Sequence, residues 1–407
     1  MRGGVMPTKN GYFVFDADNH LYEPIDAFTR HMPAEYANFM RYVQIEGRTK
    51  LVVNGMLTEY IPNPTFEVVA APGCQEDYFK NGNPEGKTRR EIMGKGIRSP
   101  EAFFNAEARI KLMDEQGIDR SLMWPTLASV LEARVMDAPR EVAAAFHSLN
   151  KFIMDEWTFN YEDRIFATPV VNMGELDLAL KELDYIVENG AKILLVRPAP
   201  AFGFEGPHSP FLPKFDPFWK RVEEAGILVG MHASDSGYQR YLNEWEGVRG
   251  EMLPFANQGT AGFNALVGHS YRAIFDAIAS AIGHGTCSRF PKLRFLPVEN
   301  GSRWVLPFLE EAEEAYRKDP HSFLEDPIEV FNRNIWVHPF HEDNPRRLVD
   351  AVGSDKVVFG SDYPHAEGLK DPVGFVTELE EAGLNEQETR SVMGNNMNQL
   401  MGFPVAA

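Results

Sequence analysis

The chain has 407 residues, a length that suits one large α/β domain with insertions. Its 59 acidic against 40 basic residues give a formal net charge of -19, which argues against nucleic acid and anionic membrane surfaces as partners, because both select a basic footprint. The apolar runs are strand-sized, residues 1–10 lack an apolar signal core, and Cys74 and Cys287 are too few for a disulfide framework; a soluble protein of the reducing cytoplasm is expected.

Eight apolar runs recur along the chain, at residues 12–15, 121–124, 165–171, 193–196, 227–231, 293–298, 335–337 and 357–359. Amphipathic segments that stop on glycine precede several of them: 109–116 before Gly117, 177–189 before Gly190, and 218–225 before Gly226. Glycine just past a helix, followed by an apolar run, is the expected helix stop ahead of a buried strand. The alternation predicts α/β architecture with a parallel sheet, and eight units predict a distorted (β/α)8 TIM barrel, a single domain over residues 1–407. Three stretches fall outside the repeat. Residues 45–105 contain an Asn54-Gly55 hairpin signal and then turn rich in Gly, Pro and charge. Residues 199–217 and 234–268 follow the fourth and fifth strands. All three leave from C-terminal strand ends, so they are expected as lid insertions over a site there.

The chemistry-bearing residues gather at those same ends. The first run stops on Asp16-Ala17-Asp18-Asn19-His20 and the last on Ser361-Asp362-Tyr363-Pro364-His365. In an extended strand Asp18 and His20 share a face. His232 ends the fifth run and Glu299 the sixth. These five, Asp18, His20, His232, Glu299 and Asp362, are the candidate metal ligands. A carboxylate such as Asp362 also moves protons, and Glu299 suits a base, a bridge between two metals, or an ion pair with Arg303 or Arg197. His338 and His341 stand at the seventh strand end, His365 and Glu367 follow Asp362, and His269 follows the long fifth loop; these are candidate catalytic or substrate-binding groups. Arg197, at the fourth strand end, suits a bidentate clamp on a substrate carboxylate. His284 falls on the opposite, structural face and is excluded. No glycine-rich phosphate loop, Gly-x-Ser-x-Gly elbow or paired Cys-x-x-Cys occurs.

The segments Phe15 to Pro24, Met113 to Asp119, Gly226 to His232, Arg289 to Arg294 and Phe359 to His365 together resemble the amidohydrolase-related family. This branch includes aminocarboxymuconate semialdehyde decarboxylase and the resorcylate decarboxylases. The likeness runs from about residue 13 to 402. It implies a distorted (β/α)8 barrel, a divalent metal, a dimer or larger oligomer, and ligand roles for His20, His232 and Asp362, with Asp18 in place of the usual His or Glu. Two departures stand out. Glu299 occupies the place where the decarboxylases carry a catalytic His. Arg197, not lysine, ends the fourth strand, so a dinuclear site bridged by carbamylated lysine is not expected.

The function expected is a metal-dependent hydrolase or nonoxidative decarboxylase acting on a small, carboxylate-bearing organic molecule. Asp362 is the proton-transfer group, and Glu299 and His338 orient water or substrate. Zinc is the first choice of metal, with manganese or iron as alternatives that the hard Asp18 donor favours. A mono- or dinuclear iron or manganese oxygenase on the same scaffold, and a metal-binding partner subunit of a hetero-oligomer, are the rival expectations.

Overall fold

The computed structural model describes residues 11–58, 63–247, 261–267 and 271–405. Strand Phe15–Asp16 pairs in parallel with Arg120–Pro125, which pairs with Ile165–Ala167. The bridge Val170↔Leu195 leads to strand Ile193–Leu195, which pairs with Leu228–His232 and that in turn with Phe295–Val298. Parallel bridges Phe295↔Ile335 and Val337↔Val357 continue the course, and Asn19↔Tyr363 brings it back to the first segment. All eight expected runs therefore take part in a TIM-barrel-type order. The seventh and eighth join through single bridges instead of full strands. Residues 121–125 of strand Arg120–Pro125 are buried, and so are Phe166, Leu194, Val229, Leu296, Val337 and Val358 on the runs that follow, as strands covered on both faces must be.

Helices flank this sheet and stop where glycine permits. Ala106–Gln116 ends at Gly117 (φ 82°) and Asp216–Ala225 at Gly226 (φ 65°), both left-handed, a conformation that costs other residues a Cβ clash.

The first insertion begins ahead of residue 45. Strands Met40–Ile45, Arg48–Val53 and Met56–Thr58 form an antiparallel sheet. Asn54 (φ 48°) and Gly55 (φ 77°) make the expected turn. A second turn of the same kind lies at Glu46 (φ 50°) and Gly47 (φ 74°); glutamate seldom takes positive φ, so the sequence did not announce it. Farther on, helix Arg89–Met93 carries a capping box in which Thr88 and Glu91 each satisfy the other's backbone N–H. The insertion is anchored to the barrel mouth by Gly73 N–H to the His365 carbonyl at 3.0 Å and Gln75 N–H to the Ala366 carbonyl at 2.8 Å. Residues 201–208 form a short hairpin, and helices Tyr238–Glu246 and Ala261–Val267 lie in the third insertion. Among the described residues no helix is long and apolar enough to cross a membrane.

Candidate metal centre

Four separate strand ends deliver one cluster. His20 Nε2 lies 3.3 Å from Asp18 Oδ1, 3.4 Å from Asp362 Oδ1 and 3.8 Å from Glu299 Oε2. His232 Nε2 lies 3.2 Å from Asp18 Oδ1, 3.3 Å from Glu299 Oε2 and 3.2 Å from His20 Nε2. Atoms bound to one ion at about 2.0–2.2 Å sit about 3.0–3.5 Å apart along the edges of an octahedron or tetrahedron. Most of these spacings fall in that range. The donors form two overlapping groups, Asp18, His20, His232 and Glu299, and His20, Glu299, Asp362 and His365.

The backbone that carries the ligands is held by buried polar groups. Asp16 Oδ1 accepts the N–H groups of Asp18 (3.0 Å) and Ser361 (2.9 Å), and its Oδ2 accepts from Asn19 Nδ2 and Ser361 Oγ. This one carboxylate ties the first strand end to the last. Burial pushes its pKa up to about 6 against those donors. Buried Arg109 reaches in from helix Ala106–Gln116, donating to Asn19 Oδ1, to the His20 carbonyl at 2.8 Å and to the Ala102 carbonyl at 2.6 Å. Gly360 lets the last strand end approach: a Cβ there would stand 2.5 Å from the Asp18 Cβ and 2.7 Å from His338 Nε2. Glu299 and Asp362 each take a φ of 54°. Such backbone costs a non-glycine residue about 1–3 kcal/mol and concentrates at functional sites.

The carboxylates and imidazoles crowded here shift one another's protonation. Burial, then the nearby charges of Asp362 and Asp18, raise the Glu299 carboxyl well above its usual value. Burial, Asp18 and Glu367 do the same to Asp362. Burial also drives His20 well below the imidazole range. Burial opposes ionisation of Asp18 too, but its contacts with His20 and His232 hold it below the usual carboxylate range. Buried Asp18 Oδ2 makes no hydrogen bond. His232 Nδ1–H donates to the Ala233 carbonyl at 2.9 Å, so the neutral ring presents Nε2 to the cluster, while Asp18 and Glu299 raise its pKa against burial. A donor set of three carboxylates and three imidazoles with an unsatisfied buried oxygen fits a divalent cation.

The cluster forms the floor of a cavity of about 610 Å³. Tyr22, Phe66, Val68, Val69, Met93 and Val130 give it an apolar wall, with Tyr22 and Phe66 stacked at 4.5 Å. Arg89, Gln75, Thr126 and Glu367 supply polar groups. A separate cavity of about 290 Å³, walled partly by Pro200, Pro210 and Tyr238, contains none of the ligands; residues 199–217 border it and not the site.

His365 joins the site as an expected group: its Nδ1 is 2.7 Å from Asp362 Oδ1, and its ring lies 4.0 Å from that of His20. The other expected groups stand elsewhere. His338 is buried behind the cluster, accepting the Glu299 N–H at Nδ1 (3.2 Å) and donating from Nε2 to the Gly360 carbonyl (3.1 Å). It therefore orients Glu299 and does not line the cavity. His341 donates to the Glu367 carbonyl at 3.0 Å. Arg197 lies off the cavity wall. Its guanidinium donates to the Pro200 and Asp235 carbonyls and stands 3.6 Å from Glu132, so the clamp expected of it is occupied by the protein itself. Glu299 pairs with neither Arg197 nor Arg303, which sits beside Asp343. His269 lies outside the described residues. The sequence reading missed Arg89, which its charge-rich surroundings do not set apart, and Asp16, Arg109 and Thr126, whose roles depend on contacts distant in sequence.

The barrel-type fold thus carries a cluster of carboxylates and imidazoles at its C-terminal strand ends, a candidate metal site. The amidohydrolase family profile matches residues 16–403, and the chain belongs to that family. An amidohydrolase of Mycobacterium avium subsp. paratuberculosis is 36% identical, with a TM-score of 0.90 over 97% of this chain and 100% of its own. A 2,6-dihydroxybenzoate decarboxylase from Rhizobium shares the fold at 17% identity and a TM-score of 0.58, over 80% of this chain and 95% of its own. A dihydroxybenzoic acid decarboxylase of Polaromonas sp. JS666, with bound manganese and 2-nitroresorcinol, does so at 14% identity and 0.56, over 96% and 97%. No curated protein sequence matches the chain.

Proposed function

We propose that the protein is a metal-dependent hydrolase or nonoxidative decarboxylase acting on an organic acid with an apolar body. The observation that carries this reading is the set of ligand atoms from four strand ends at spacings of 3.2–3.8 Å. Asp18, His20, His232, Glu299 and Asp362 would hold the cation, zinc first, manganese or iron otherwise. When bound, it supplies Lewis-acid polarisation of water or of a substrate oxygen. Asp362 Oδ1 and His365 Nδ1, 2.7 Å apart, share one proton that can be taken from or given to the reacting atom. Glu299, 23% exposed in its side chain, faces the cavity and orients the attacking or departing group. His338 holds the Glu299 backbone in its left-handed turn.

The first insertion acts as the lid in this reading, since Phe66, Val68, Val69, Arg89 and Met93 all come from it. Arg89 takes the place first given to Arg197 as the cation that meets a carboxylate. A cavity of about 610 Å³ is in the range that encloses drug-sized ligands, so a body larger than a single ring is accommodated. Unpaired Cys74 and Cys287 support a reducing compartment, the cytoplasm.

The second donor group, which adds Asp362 and His365 to His20 and Glu299, favours a second reading. Such a carboxylate-rich set suits a pair of iron or manganese ions and oxygenase chemistry. The test is turnover of aromatic and apolar carboxylic acids, amides and esters by metal-depleted protein reloaded with zinc, manganese or iron, with and without dioxygen. Metal-restored turnover in anaerobic solution is expected. Turnover only with dioxygen consumption would replace the first reading by the second.

A further inference from the structure

One hydroxyl at the mouth of the barrel touches two of the histidines that bear on the centre, His20 and His365. Thr126 Oγ1 lies 3.2 Å from His20 Nδ1, 3.2 Å from His365 Nε2 and 3.0 Å from the Leu21 carbonyl oxygen. A hydroxyl has one proton to give and two lone pairs to offer. The carbonyl can only accept, so the Thr126 proton goes to Leu21; placing it on a ring nitrogen would set two lone pairs against each other at 3.0 Å. Both ring nitrogens must then donate. We propose that Thr126 is a positioning residue of the metal centre: its hydroxyl fixes His20 as the Nδ1–H tautomer and holds His365 through Nε2–H.

The consequence falls on the other nitrogen of each ring. His20 keeps an unprotonated Nε2 facing Asp18, His232, Glu299 and Asp362, which is the form that binds a cation. His365 meets Asp362 through Nδ1, so the proton they share stays at that contact. Without the hydroxyl, Asp18 Oδ1, 3.3 Å from His20 Nε2, draws the ring proton to Nε2 and sets a donor where a ligand is needed. The threonine is itself held. Glu23, fully buried, accepts the N–H groups of Leu127 at 2.8 Å and Ala128 at 3.1 Å, which fixes the turn that presents Thr126. The residues that define the cluster and the residue that prepares it thus meet across strands His20–Leu21 and Arg120–Pro125, paired at His20↔Trp124.

This proposal rests on the metal-centre reading, and the test separates the two. Imidazole nitrogen NMR of the metal-free protein reports the tautomer without any metal. Zinc affinity, by competition with a chromophoric chelator, reports the consequence. His20 is expected as Nδ1–H in the parent and in Thr126→Ser, and as Nε2–H in Thr126→Val. Zinc binding should weaken about 10- to 100-fold in Thr126→Val and be kept in Thr126→Ser. An Nε2–H His20 in the metal-free parent overturns the proposal even if Thr126→Val does not fold. So does a folded Thr126→Val that binds zinc as tightly as the parent. A parent that binds no zinc, manganese or iron while His20 is Nδ1–H overturns the metal-centre reading, and with it the role in affinity.

Discussion

Two buried polar clusters sit at the C-terminal strand ends, and they are built on opposite terms. In the first, Arg197 and Arg134 meet Glu132 and Asp235. Arg134 Nη1 is 2.6 Å from Asp235 Oδ2, Arg197 Nε is 3.6 Å from Glu132, and Asn172 donates to the other Glu132 oxygen. Two positive and two negative groups cancel, and the carbonyls of Val130, Pro200 and Asp235 accept further guanidinium N–H groups. In the second, Asp18, Glu299 and Asp362 face one another around His20, which burial keeps from charging, and His232, whose pKa Asp18 and Glu299 raise against burial. The protein balances one cluster itself and leaves the other short of positive charge. That difference separates a structural ion-pair network from a site built for a cation, although both contain residues that a sequence reading singles out.

The comparison can be broken at several points. A large effect is expected from Asp362→Asn, which keeps the shape but removes the group proposed to transfer the proton. It should lower kcat/KM at least about 100-fold, the lower range of general acid–base catalysis, with the fold retained by circular dichroism. Full activity in that variant would remove Asp362 from the mechanism.

Removing one partner from each cluster should then have opposite signs in metal-free protein. Glu132→Ala strands a buried guanidinium and should destabilise by about 3–5 kcal/mol in denaturant unfolding. Glu299→Gln relieves repulsion and should raise Tm. If both variants lose stability equally, the second cluster is a structural network too. Saturating cation should sharpen the contrast: at 100 times Kd it adds about 2.7 kcal/mol to the parent and nothing to Asp18→Ala.

The last effect concerns pH. Burial pushes the Glu23 carboxyl from 4.5 up to about 7, against its backbone donors. Between those values the native state holds a proton that the unfolded chain has released. Stability from this group is therefore greatest below pH 4.5, falls as the pH rises to about 7, and is level above. The expected loss across that window is about 3 kcal/mol, and Glu23→Gln should flatten the slope in metal-free unfolding measured at both ends.

The sequence made the candidate cluster legible because strand ends announce themselves: an apolar run stops on Asp or His, as at Asp18-Asn19-His20 and Met231-His232. It also marked the helix stops at Gly117 and Gly226 and the turn at Asn54-Gly55. What it left dark are residues whose meaning depends on partners far along the chain. Arg197 looked like a clamp because nothing local shows Glu132 beside it. His338 stands 3.5 Å from Asp18 Oδ2, yet its two hydrogen bonds run to backbone atoms of Glu299 and Gly360, which no local sequence shows. Asp16 and Arg109 carry no motif, yet they hold the first and last strand ends together.

The central claim is that the unbalanced cluster is a cation site and the balanced one is not. Elemental analysis of metal per chain tests it most directly, on the parent, Asp18→Ala and Glu132→Gln after the same purification and reloading. At least one zinc, manganese or iron per chain is expected in the parent and in Glu132→Gln, with its loss in Asp18→Ala. Equal metal in Asp18→Ala and the parent, or a parent that takes up none, would contradict it.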